Sequence, residues 1–226
     1  ISQEAGNLPY VSTALYSLMT VQTERVARMT TDAHWRLYVN PLWVLAADVE
    51  VLAKELAHQI WHLLADHAGR AFDAGVDVAG RERWKLAADV TVAEVLPWDA
   101  GLPHAQSLHV EPNLSAEQYF ILLRARPVTA KPLPTDPDGT CGSGCDGIAR
   151  DHDLPPDDAE VPGLSTQAAE AVRKTVAIEF REHCTKHGSL PGEWGRWVAE
   201  ILDPVVPWNQ VLHAAVRRGI GWGQGQ

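Results

Sequence analysis

The chain has 226 residues, 46% hydrophobic and 21% charged, enough for one domain with its own core; three cysteines exclude a disulfide-built scaffold and suit a reducing compartment. Lys+Arg 19 against Asp+Glu 29 leaves a net charge of −10, which puts a phosphate-neutralising nucleic-acid surface at a disadvantage. The apolar stretch 42–57 is broken by Asp48, Glu50, Lys54 and Glu55, so no membrane span is read and a soluble, cytoplasmic protein is the expectation.

In chain order, a start at Ile1 reads as a fragment or a processed form. Residues 10–27 carry apolar positions at helical spacing, weakened by Thr20 and Thr23. Trp35 to Val39 alternate and are stopped by Asn40-Pro41, which predicts a short strand; Asp32-Ala33-His34 can turn it back on residues 26–29 as a hairpin. From Pro41 to Ala68 the pattern is helical, as two helices or one bent helix, with Gly69 placed to cap it. Glu82 to Leu96 predicts a helix ended by Pro97, and Ser115-Ala-Glu-Gln118 has the spacing of a capping box opening a helix through Leu123.

Residues 126–163 differ in kind, with seven of the 15 prolines and seven aspartates between Asp136 and Asp158, and predict a mobile loop that the core fold does not need. Helical spacing returns over 165–187, with Gly188 as its cap, and two short helices follow at 192–201 and 208–218. The class is α+β, mainly helical. The organisation read from this pattern is a core over 1–125, a Pro/Asp-rich loop over 126–163 and a C-terminal helical part of the same domain over 164–226.

The run Glu55-Leu-Ala-His58-Gln59-Ile-Trp-His62 is the most informative. Helical positions four apart lie within roughly 40° of each other, so His58 and His62 share a face and can bind one metal ion through nitrogen. A bare HxxxH is also compatible with two core histidines satisfied by hydrogen bonds. His67 would lie about 140° from His62 on a continuous helix and so points elsewhere, toward the helix end near Gly69. Asp89, after Ala87 and Ala88, sits on a helix able to pack closely on the first and is a candidate third ligand. Glu82, seven residues earlier on nearly the same face, is another, whereas Glu94 lies on a different face. A surface or capping role for Asp89 is equally compatible with the spacing.

Several of these pieces together resemble a bacterial putative metallopeptidase domain family that usually precedes a von Willebrand factor A-like domain. They are Asn7-Leu-Pro-Tyr10, Arg36-Leu-Tyr-Val-Asn-Pro41, the His58–His62 helix with its Asp66-His67-Ala-Gly-Arg70 ending, Trp84 to Asp89, Ser115 to Tyr119, Gly188 to Gly192 and Pro207-Trp208. The resemblance implies a zincin-like fold with an HExxH-type helix under a small sheet. It implies one Zn²⁺ on His58 and His62, with Asp89 as third ligand and a water in the open position. It also implies peptide or amide hydrolysis, and partnership with a von Willebrand A-like domain and a MoxR-type AAA+ ATPase.

The departures bear on activity. The family has glutamate between the histidines, where it acts as general base on the attacking water; this chain has Gln59, and an amide cannot take that proton near neutral pH. Loss of a general base costs ~10²–10⁴-fold, which leaves Glu55 or Glu82 as substitute bases if hydrolysis is retained. The residues after Ala-Ala-Asp are also altered, to Val90-Thr-Val-Ala-Glu94. Three functions remain: a weak or lost zinc hydrolase, a non-proteolytic metal-binding assembly module, and a 2-His-1-carboxylate metalloenzyme of another kind. Cys141-Gly-Ser-Gly-Cys145 fits no zinc spacing and reads as a structural or oxidation-prone thiol pair. Asp136-Pro-Asp138 lacks the glycine and glutamate of a calcium loop, and Ser143 lacks the strand and helix of a nucleophile elbow.

Overall fold

The computed structural model describes residues 11–96, 101–125, 141–188 and 192–203, without the side chains of residues 187 and 192–194. Helix α1 (Ser12–Tyr16) leads into strand β1 (Met19–Gln22), followed by β2 (Met29–Thr31) and β3 (Arg36–Val39). The helical expectation for 10–27 therefore ends after α1. Its second half is a strand, because Thr20 and Val21 are β-branched and pair with Leu37 and Tyr38. The sheet order is β1-β3-β2, with β1 parallel and β2 antiparallel to β3. The predicted hairpin is β2–β3, in register Met29↔Val39 to Thr31↔Leu37.

Helices α2 (Pro41–Ala46), α3 (Val49–Leu64) and α4 (His67–Asp73) replace the expected one or two. Asn40 caps α2 by accepting from the Leu42 and Trp43 amides, with Pro41 at its first position. The break after α3 is not at Gly69. It lies at Asp66, whose backbone is left-handed at φ 52 and whose carboxylate is held by Arg173 at 2.7 Å, while the same guanidinium bonds Leu63 O at 2.8 Å. Gly69 lies inside α4 and leaves room for the Asp66 carboxylate, which a Cβ would meet at 2.6 Å.

Helix α5 (Arg81–Val95) carries fully buried Ala87 and Ala88, and α6 (Ala116–Arg124) opens with the predicted Ser115/Gln118 capping box. A bidentate pair of Arg70 with Glu117, at 2.6 Å on both arms, ties α4 to α6. Burial raises the Glu117 carboxyl, but Arg70 more than offsets it and holds it down at about 2. Helix α7 (Ser143–Asp146) is a single turn; α8 (Thr166–His187) and α9 (Gly192–Leu202) complete the described elements. Two cores result. One joins α1, α3, α8 and α9 through Trp61, Leu64, Val176, Phe180 and Trp197. The other joins α5 and α6 with the segment around α7 through Trp84, Tyr119, Phe120, Cys141 and Cys145.

The region 126–163 needs correction as far as it is described. Apart from α7 it is irregular, but Cys141, Ser143, Cys145 and Asp146 are buried, so 141–146 is part of the core, and the more exposed 147–163 is tied to the sheet by hydrogen bonds. The fully buried Arg36 binds the carbonyls of Leu154, Pro155 and Val161 at 2.7–3.1 Å, and the Leu154 amide donates to Tyr38 Oη at 2.8 Å. Tyr38 in turn donates to Asp32 at 3.0 Å; burial together with the Asp32 charge pushes its phenol up to about 12. Residues 126–140 and the predicted helix at 208–218 lie outside the described residues. Among the described residues no helix is long and apolar enough to cross a membrane.

Candidate metal centre

Four side chains converge where α3, α5 and the start of the α7 segment meet: His58, His62, Asp89 and Cys141. Helical periodicity aligns the two histidines, whose Nε2 atoms are 2.8 Å apart. Helix α5 brings Asp89 Oδ1 to 3.5 Å from His58 Nε2 and 3.3 Å from His62 Nε2, while its Ala87 and Ala88 belong to the core shared with α6 and the α7 segment, not to the α3 contact the sequence suggested. Cys141 Sγ closes the group at 3.2 Å from His58 Nε2 and 3.5 Å from Asp89 Oδ1. All four are buried or nearly so.

Cys141 is the residue that the sequence reading set aside. It reaches the site because its glycine neighbours lie flat on β2. A Cβ on Gly142 would meet Thr30 Oγ1 at 2.1 Å and Thr31 O at 2.2 Å, and one on Gly144 would meet Thr31 Oγ1 at 2.5 Å. Gly142 also has φ +66, so only glycine fits there. Gly142→Ala is expected to destabilise the fold by roughly 3 kcal/mol. Gly75→Ala, with φ +67 but open space around it, should cost only about 1–2 kcal/mol. Urea unfolding of the two variants measures the difference.

Electrostatically the site is a cluster of mutually stabilised charges. The hydrogen bond from Cys145 lowers the Cys141 thiol well below its ordinary value against the effect of burial, and His58 and His62 lower it further. Burial alone would depress both histidines, but the Cys141 thiolate and Asp89 more than offset it, and His58 ends well above the usual imidazole range. Lys85 behaves likewise: burial lowers it, and the charges of Cys141 and Asp89 raise it more.

The remaining candidates have other partners. The Gln59 side chain is buried, and its amide oxygen accepts from Thr31 Oγ1 at 3.0 Å. Glu55 pairs with Arg28 at 2.9 Å. Glu82 is exposed beside Arg81, and Glu94 accepts from Tyr119 Oη at 2.6 Å. The expectation for His67 is overturned. Because α3 stops at Leu64 and the chain turns at Asp66, the His67 ring returns to His62, Nδ1 to Nδ1 at 2.8 Å, and is fully buried. Burial, with His62 and Arg70 beside it, holds His67 well below the ordinary imidazole value.

The donor set fits a zinc-type ion. Two imidazole nitrogens, a carboxylate oxygen and a thiolate are its usual ligands, and bonds of ~2.0–2.3 Å give a tetrahedron with edges of roughly 3.3–3.7 Å. Five of the six donor pairs stand 2.8–3.5 Å apart and all four donors lie within 4.8 Å of one another, which comes close to that with a small opening of the histidine pair. A divalent cation with one thiolate and one carboxylate is also neutral overall, which a buried site favours. Comparisons with curated proteins and with solved structures found no match. The family described as a putative metallopeptidase domain matches residues 4–222, and the chain belongs to it.

Proposed function

We propose that this chain is a zinc-binding module of the metallopeptidase type whose ion is held in a closed shell by His58, His62, Asp89 and Cys141, and which does not cleave peptides in this arrangement. The observation that carries the reading is Cys141 Sγ at the fourth corner, 3.2 Å from His58 Nε2 and 3.5 Å from Asp89 Oδ1, where the sequence led us to expect an open position. Bound zinc supplies Lewis acidity when a position is open and a structural cross-link when four protein ligands close the shell. His58 and His62 present nitrogen from one helix, Asp89 balances charge from the next, and Cys141 contributes a soft, anionic donor. That thiolate favours zinc over magnesium, calcium or manganese and argues against the 2-His-1-carboxylate centre, which needs its other positions free.

Gln59 supports the same reading. Its amide cannot act as a base near neutral pH, and its oxygen is engaged by Thr31. A zincin-like core and an assembly role beside a von Willebrand A-like domain and a MoxR-type ATPase belong to this proposal on the strength of the family resemblance. The test is elemental analysis together with cleavage of casein. Wild-type protein should hold one equivalent of zinc, lost in His58→Ala, and leave casein intact. Gln59→Glu should leave it intact too, because Cys141 still occupies the fourth corner. Robust cleavage by the wild type would overturn the closed-shell reading in favour of a working hydrolase.

A further inference from the structure

We propose that His67 is a positioning residue for the metal centre: with Thr91 it fixes the tautomer and ring orientation of His62, so that the Nε2 lone pair of His62 faces Asp89 and Cys141. This rests on the zinc-binding reading above and goes beyond it to a side chain that touches none of the other three ligands' donor atoms.

The chain of hydrogen bonds has one consistent direction. Thr91 Oγ1 lies 2.7 Å from Ala88 O and donates its only proton to that carbonyl. The hydroxyl oxygen therefore accepts at its other contact, from His67 Nε2–H at 3.2 Å. A neutral His67 with its proton on Nε2 has a bare Nδ1, and that nitrogen accepts from His62 Nδ1–H at 2.8 Å. His62 with its proton on Nδ1 has its lone pair on Nε2, the atom that lies 2.8 Å from His58 Nε2 and 3.3 Å from Asp89 Oδ1. The start of the relay, Ala88 O, and its second member, Thr91, both belong to α5, the helix that carries Asp89. One helix thus delivers a ligand directly and orients another through His67. The rings of His62 and His67 stand edge-on at 64° with centroids 5.0 Å apart, a geometry that carries an in-plane N–H to N bond and no stacking.

The left-handed turn at Asp66 is what makes the relay possible. On an uninterrupted helix a residue five positions after His62 would sit about 140° away. Ending α3 at Leu64 and restarting at His67 returns the second ring to the first.

The experiment is zinc affinity by chelator competition on the full chain, with the visible absorption of the Co²⁺ form and circular dichroism alongside. His67→Leu removes the acceptor and should weaken binding by roughly 10–100-fold, as loss of a ligand's hydrogen-bond partner does, and should change the Co²⁺ band. His67→Asn keeps an acceptor oxygen at the place of Nδ1 and should recover most of the affinity; His67→Gln, whose oxygen is one bond farther out, should not. Thr91→Val keeps the side-chain shape while freeing the His67 tautomer, and should give a smaller loss in a variant that folds. Wild-type affinity and an unaltered Co²⁺ spectrum in His67→Leu or Thr91→Val, with the fold intact, would overturn the assignment. Equal losses in His67→Asn and His67→Leu would also overturn it and leave His67 a packing residue. Failure of the wild-type chain to bind zinc would instead sink the metal-centre reading, and this inference with it.

Discussion

Replacing Cys141 by alanine should weaken zinc binding by roughly 10²–10³-fold. Structural zinc sites with four protein ligands have apparent binding free energies of about 10–16 kcal/mol, so an equal share per ligand is on the order of 2.5–4 kcal/mol. Cys141 should carry at least that share. It is the softest donor, its thiol is already pulled down by Cys145, His58 and His62, and its removal leaves a divalent ion with one protein anion in a buried site. The Co²⁺-substituted protein provides a second measurement, because a thiolate ligand gives a charge-transfer band that alanine abolishes. Cys184→Ala is the control, since Cys184 lies in α8, outside the four-residue group. Unchanged affinity in Cys141→Ala would mean a three-ligand centre with an open position and would return the chain to the hydrolases.

Removing the metal should lower the melting temperature by roughly 8–16 °C. Zinc held by these four residues would bind the folded arrangement selectively, because they come from α3, α5 and the segment before α7 and are separated by up to 83 residues. Such binding adds about 4 kcal/mol when free metal stands at 1,000 times Kd. A domain of this size shifts by ~2–4 °C per kcal/mol. Thermal unfolding with and without a chelator measures the change, with His58→Ala as the variant on which the chelator should have no effect. A melting temperature indifferent to chelation in the wild type would argue that the four side chains are held by their own ion pairs and hydrogen bonds alone.

The sequence by itself determined the local features. The pairing of His58 with His62 follows from helical period. The start of α6 was legible in Ser115 and Gln118, because it depends on residues within one turn of one another. Strand β3 and the turn at Asp32–His34 were readable for the same reason. Tertiary structure decided what happens where two distant segments compete for a surface. Thr20 and Val21 read as part of a helix until β3 offers them a partner. The end of α3 carries no glycine or proline at the break; Arg173, more than a hundred residues later, bonds the Asp66 carboxylate at the left-handed turn that redirects His67. Cys141 lies 52 residues beyond Asp89 and 83 beyond His58, across a stretch whose composition suggests a loop. Its place was set by Gly142 and Gly144 lying against Thr30 and Thr31. Whether the proposed metal shell is open or closed therefore depends on the packing of a glycine-flanked cysteine against an edge strand, a contact that no periodicity along the chain encodes.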